Sequence, residues 1–298
     1  MRIKGGTLAA FAAYFMWGIL PVYWKALEHL SAPEILVHRI IWSLVVLAGF
    51  LALTRNWGWL RRARRQPRLL LPLVLTAALV TVNWLTYLWA NNTGHIVEAS
   101  LGYFMNPLVN VLLGVLFLRE RPRSVQWTAV GLAALGVIFL TISYGRPPWI
   151  ALTLALSFGF YGLIRKTTTL ASAEGLTVEM ALLFVPALTY LGILTAQGTT
   201  SFTNSGPLTT VLLVMSGFAT TIPMVLFTYG ARQVTMTTLG ILQYIAPTLQ
   251  FLLGAFVYGE GFRQDQVVGF GLVWLGLALY SVEGIVTARR RQLAAAAV

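Results

Sequence analysis

The stretch PLVNVLLGVLFLRER, residues 107–121, returns at 247–261 as PTLQFLLGAFVYGEG. Pro107 pairs with Pro247, Leu112, Leu113 and Gly114 with Leu252, Leu253 and Gly254, and Glu120 with Glu260. The same register continues without a gap through Gln126 and Gln266, Gly131 and Gly271, and Gly136 and Gly276. One difference inside the block is systematic: Arg119 and Arg121 flank the first glutamate, whereas Gly259 and Gly261 flank the second. Arginines bias a loop toward the cytoplasmic side, so the two copies end on opposite faces of a membrane. An odd number of spans per copy produces that inversion, and inverted repeats of this kind build many secondary transporters.

The composition agrees with a membrane chain. Of 298 residues, 57% are hydrophobic and only 10% charged, with a mean hydropathy of +0.75, too apolar for an ordinary soluble domain. The formal net charge of +12 sits in short clusters between apolar runs, which excludes the continuous basic face that nucleic acid requires. There is no cysteine, hence no disulfide framework and no thiolate metal or redox site. His29, His38 and His95 are scattered and form no zinc pair. No phosphate-binding GxxxxGK[ST] run is present. Neither a metal nor a cofactor is expected.

A hydrocarbon layer about 30 Å thick is crossed by about 20 helical residues. Ten runs qualify, at 7–27, 34–54, 69–90, 96–118, 124–144, 148–166, 176–196, 208–230, 236–258 and 264–286. The first follows Met1-Arg2-Ile3-Lys4 but is too long and too aromatic for a cleaved signal segment. With the N-terminus in the cytoplasm, the arginines of 55–68, Arg119, Arg121, Arg123, Arg165, Lys166, Arg232 and the arginines of 289–291 fall inside. Only Lys25, Arg146 and Arg263 fall outside. The expected fold is an all-α polytopic membrane protein: ten transmembrane helices arranged as two inverted five-helix repeats, 1–145 and 146–298, with both termini cytoplasmic. Gly18 and Lys25 are echoed by Gly159 and Lys166, in nearly the same register.

These residues resemble the drug/metabolite transporter superfamily, specifically its EamA-type ten-helix members and the RarD group within them. The resemblance rests on AYFMWGILP (13–21), EILVHRIIWS (34–43), Asn83-Trp84 with Asn91-Asn92, and SLGYFMNPL (100–108). It implies a basket of helices around a central cavity, built from spans one, three, four, six, eight and nine. It also implies export of small metabolites across a bacterial-type inner membrane, as in the similar YddG-type amino-acid exporters. Chloramphenicol-like drugs are the alternative cargo, and one scaffold carries many cargoes. A membrane-embedded enzyme would need clustered His, Asp or Glu near one face, and here they are dispersed, so the reading is of a transporter and not an enzyme.

Polar side chains inside hydrocarbon mark a cavity, a helix contact or a pathway. Asn83, Tyr87 and Asn91 recur every four residues and share one helix face; they are read as a permeation stripe, with asparagine bonding between helices as the alternative. Tyr103, Asn106 and Asn110 surround Pro107, and Gln243 and Tyr244 precede Pro247, making Pro107 and Pro247 candidate hinges. Tyr14, Trp17, Phe158 and Tyr161 complete an aromatic, hydroxyl-dotted lining suited to a small zwitterion. Trp24, Trp57 and Trp59 are read as interfacial belt residues.

Most of the nine acidic residues fall at span ends or in loops, which disfavours coupling through a midplane carboxylate. Glu98 is the best proton-site candidate, against a role in stabilising a helix N-terminus. Arg39 is expected to reach another helix, a loop or a headgroup, and Lys25 and Lys166 to snorkel. The glycine-rich fifth and tenth spans either pack together or support a dimer, so a monomer and a dimer both remain open. The expected partners are a small-molecule substrate and the bilayer, with no nucleic acid.

Overall fold

The structure is a computed structural model describing residues 2–296 apart from Asn56, Gly94, Arg146 and 259–263. Arg146, Gly259, Glu260, Gly261 and Arg263 therefore lie outside the described residues. Every described element is helical: α1 (Arg2–Lys25), α2 (Ala32–Leu53), α3 (Gly58–Arg65), α4 (Leu71–Asn92), α5 (Ile96–Leu118), α6 (Ser124–Tyr144), α7 (Trp149–Thr167), α8 (Ser172–Ala196), α9 (Ser201–Asn204), α10 (Pro207–Ala231), α11 (Met236–Gln243), α12 (Ile245–Phe256) and α13 (Gln264–Ala296), with a 3₁₀ turn at Pro67–Leu69.

Eight stretches among the described residues are long and apolar enough to cross a membrane, as expected where every backbone amide must be satisfied without water. The sixth expected span coincides with α7, which falls short of that measure and carries Arg165 and Lys166 in its last turn; the tenth coincides with α13.

Local chemistry sets the helix limits. Pro33 sits in the first turn of α2, where no intrahelical N–H is lost. Gly145 ends α6 at φ 78°, the left-handed conformation a glycine adopts without strain. The expected ninth span is split. Proline at 247 clashes with the carbonyl of residue 243, and α11 ends at Gln243. By contrast, Pro107 lies within an unbroken α5.

The helices form a bundle with two ends. The near end carries the N-terminus, α3 and the α7–α8 turn; the far end carries the α1–α2, α4–α5 and α6–α7 turns. Since lipid and apolar side chains are alike in hydrophobicity, close packing holds the helices together, and glycines permit it. α6 and α13 pack on each other, with a methyl group on Gly136 only 2.8 Å from the Gly269 carbonyl oxygen and one on Gly276 only 2.6 Å from that of Ala129. The fifth and tenth expected spans thus meet within one chain. α2 and α10 approach most tightly at Gly217, where an added Cβ would stand 2.5 Å from the Trp42 carbonyl carbon. Backbone cannot retreat as a flexible side chain can, so Gly217→Leu is expected to cost at least 1–3 kcal/mol, read as a lowered melting temperature of the purified protein.

α3, within the basic loop, is amphipathic. Trp59 and Ala63 are buried against Leu51, Leu73 and Leu170, while Arg61 and Arg65 are exposed. Trp59 is therefore a packing residue and not a belt residue, because the short helix turns its indole toward the bundle.

Candidate functional site

A cavity of about 350 Å³ occupies the far half of the bundle, within the size range of small-molecule sites. Its wall is assembled from α1, α2, α4, α5, α7, α10, α11 and α12. Of the residues expected from the sequence, Tyr14, Trp17, Asn83, Tyr87, Tyr103, Asn106, Phe158, Gln243 and Pro247 line it. The four-residue spacing of Asn83 and Tyr87 does put both on the cavity side of α4. Tyr87 meets Tyr103 edge-on, with ring centres 5.9 Å apart. The side chain of Asn91 lies outside the described residues.

Asn83 serves both of its readings. Its amide donates to the Leu154 carbonyl and to Ser157 Oγ, each at 3.0 Å, and so joins α4 to α7 while facing the cavity. Gln243 Oε1 accepts from Asn110 Nδ2 at 2.7 Å and from the Tyr14 hydroxyl at 3.5 Å. Asn106 is buried, and its Oδ1 accepts no hydrogen bond among the described residues.

Four of the residues singled out in the sequence lie off the cavity wall. Tyr161 is fully buried below the cavity, its hydroxyl donating to Glu179 Oε2 at 3.1 Å. Tyr244 turns away from the cavity at the α11–α12 break and donates to the Phe104 carbonyl at 3.3 Å. Pro107 is off the wall, its carbonyl oxygen approached closely by Gly240 of α11. Glu98, the proton-site candidate, is off the wall too. Its Oε1 accepts the Ile150 N–H at 2.8 Å, which caps the free amides at the start of α7. Glu98→Ala is expected to cost about 1 kcal/mol and Glu98→Gln less, since the amide oxygen still accepts; thermal denaturation of the two variants compares them.

Several wall residues were not anticipated. Trp24 faces the cavity instead of the lipid interface, because the Arg39 guanidinium sits 4.9 Å from its ring centre and 5.0 Å from that of Trp84. Arg39 Nε donates to Thr220 Oγ1 of α10 at 3.0 Å, and Glu34 instead accepts from Thr200 and Ser201. Gln250 also lines the cavity, donating to the Trp17 carbonyl at 3.1 Å.

Beneath the cavity lies a floor of rings. Tyr14, Trp17, Phe158, Tyr161 and Phe227 are in mutual contact, with neighbouring centres 5.1–6.2 Å apart. Below it the near end is bolted by charge. Arg165 and Glu179 are both fully buried, Nε 3.5 Å from Oε1. Arg165 also donates to the Ser172 carbonyl at 2.8 Å, and Glu179 accepts from Thr76 at 2.6 Å. Gly175 leaves the space the guanidinium fills.

Lys166 does not snorkel: its amine donates to the Ala231 carbonyl at 2.9 Å and to that of Val234, across the α10–α11 turn. Glu120 accepts from the Met236 N–H at 2.6 Å, the Thr237 N–H at 3.0 Å and the Thr237 hydroxyl at 2.9 Å, capping α11. Lys25, at the far end, rests 3.7 Å from the Tyr258 ring centre.

Comparison with known proteins follows the same lines. Residues 4–142 and 147–282 each match the EamA-like transporter family. The chain is 47% identical to protein RarD of Streptomyces exfoliatus, over 96% of this chain and 91% of that protein. It is 43% identical to protein RarD of Escherichia coli, over 97% and 98%. A chloramphenicol-sensitive protein RarD of Pseudomonas aeruginosa is 33% identical over 94% of each. A solved crystal structure superposes with a TM-score of 0.69 at 18% identity, covering 93% of this chain and 97% of that one, a likeness of fold alone. The chain belongs to the EamA-like transporter family and is a multi-pass membrane transporter.

Proposed function

We propose that the chain is an inner-membrane exporter of small organic metabolites, amino acids foremost, working by alternating access. The observation that carries this reading is the asymmetry of the bundle: a 350 Å³ aromatic and amide-lined cavity in the far half, and a ring floor with buried polar bolts in the near half. With both termini cytoplasmic, the cavity faces outward and the near end is the closed inner gate. We read the chain as ten spans in two inverted repeats, 1–145 and 146–298, a division supported by the doubled family match. Rocking one repeat against the other would part the rings and expose the cavity to the cytoplasm. Pro107 and Pro247 are the bending points of this reading, and the helix break ahead of Pro247 favours the second. No catalytic step is part of it.

Efflux of chloramphenicol-like drugs is the second reading, favoured by the name of the Pseudomonas aeruginosa relative and by the apolar share of the wall. Counterflow into proteoliposomes separates the two. Saturable exchange of radiolabelled amino acids without a pH gradient is the expected result. Flux of chloramphenicol with no amino-acid exchange would leave drug efflux instead.

A further inference from the structure

Among the described residues, Arg39 is the only charged side chain on the cavity wall. Among the described residues its one hydrogen bond is from Nε to Thr220, and it joins no ion pair. Both Nη groups, four N–H donors, are thus left without an acceptor, and neither is sealed within protein. Two indole rings, Trp24 and Trp84, stand by the guanidinium and hold its orientation.

A purely structural role explains this arrangement poorly. α2 and α10 are already joined where Ser43 Oγ donates to the Gly217 carbonyl at 3.3 Å and where Gly217 meets the Trp42 backbone. A guanidinium inside a membrane bundle is costly, and a cation retained there without a carboxylate partner marks a place for an incoming anion. The planar fork matches a carboxylate with two parallel hydrogen bonds. A doubly charged phosphate would need more than the single cation the wall supplies. Close by, the Tyr87 and Tyr103 rings offer an apolar seat.

We propose that Arg39 anchors the carboxylate of the transported solute, so that the site selects small organic carboxylates with an aromatic or apolar body, amino acids among them. This rests on the transporter reading above and narrows it, because neutral drugs do not engage the anchor.

The test uses the purified full-length protein and four probes sharing one ring: 3-phenylpropionate, phenylalanine, phenylalaninamide and phenethylamine. Binding is read from quenching of tryptophan fluorescence, for which Trp24 and Trp84 stand at the site. The two carboxylates are expected to bind at least about 10-fold more tightly than the amide and the amine. Arg39→Gln should weaken the carboxylates by roughly 10- to 100-fold, the loss of hydrogen bonds to a charged partner. Arg39→Lys, which keeps the charge but not the fork, should fall between.

The wild-type ranking needs no variant, so misfolding of Arg39→Gln cannot obscure it. Amide or amine binding as tight as the acids, unchanged acid affinity in folded Arg39→Gln, or no carboxylate binding at millimolar concentration would each overturn the anchor. Counterflow is scored separately. Chloramphenicol exchange that carboxylates do not inhibit and Arg39→Gln does not alter removes the anchor and keeps the transporter. Carboxylate binding without counterflow of any probe does the reverse.

Discussion

Glu179→Leu is expected to destabilise the folded protein by about 3–5 kcal/mol, the cost of leaving one partner of a buried ion pair alone. Arg165 would keep only the Ser172 carbonyl, and a guanidinium cannot shed its charge as a lone carboxyl can by taking up a proton. Arg165→Met should therefore be milder, since Glu179 keeps the donors of Thr76 and Tyr161 and can become neutral. The double variant Arg165→Met with Glu179→Leu should recover most of the loss, because an apolar pair of similar volume often replaces a buried ion pair without penalty. Melting temperatures of the three variants and the unsubstituted protein form the cycle. A double variant no more stable than Glu179→Leu would mean that the pair does not act as a unit.

The second large effect is expected at Glu120. Its carboxylate takes three hydrogen bonds at the start of α11, two of them from backbone amides. Hydrogen bonds to a charged group contribute about 1.5–3 kcal/mol each and do not add fully. Glu120→Ala should thus cost about 3 kcal/mol at the α5–α11 contact and loosen the near end selectively. The chain contains no cysteine, so a single Leu239→Cys, at a position fully buried beside that contact, reports the change directly. Its reaction with a water-soluble maleimide should be slow in the otherwise native protein and at least tenfold faster with Glu120→Ala. Equal rates would show that Glu120 does not hold this end closed.

Much of the cavity was legible because a polar residue in an apolar run has few places to go. Asn83, Asn106 and Gln243 stand out this way, and the four-residue step from Asn83 to Tyr87 carries the helix face with it. What failed were inferences that needed tertiary contacts. Gln243 and Tyr244 are neighbours and cannot share a face, and which of the two meets the cavity depends on how the chain breaks ahead of Pro247. Arg165 looks like one more basic residue at a span end. Its partner lies fourteen positions later on another helix, and nothing periodic links them; the nearest signal was Gly175, which admits the guanidinium. Trp24 has the position of an interfacial anchor but meets Arg39 at the cavity wall, and Arg39 is visible in the sequence as a cation within an apolar run.

The ring floor has a bearing on speed. Each of its rings has only two side-chain torsions. Phe227 is wedged among Tyr14, Trp17, Phe158 and Tyr161, and Tyr161 is tied by its hydroxyl to Glu179. No single rotamer flip opens such a plate, because every neighbour blocks the swing. In the proposed alternating-access cycle, passage requires α1 to part from α7 and α10 as bodies, which places the step among collective helix motions of microseconds to milliseconds instead of the picosecond-to-nanosecond range of free side chains.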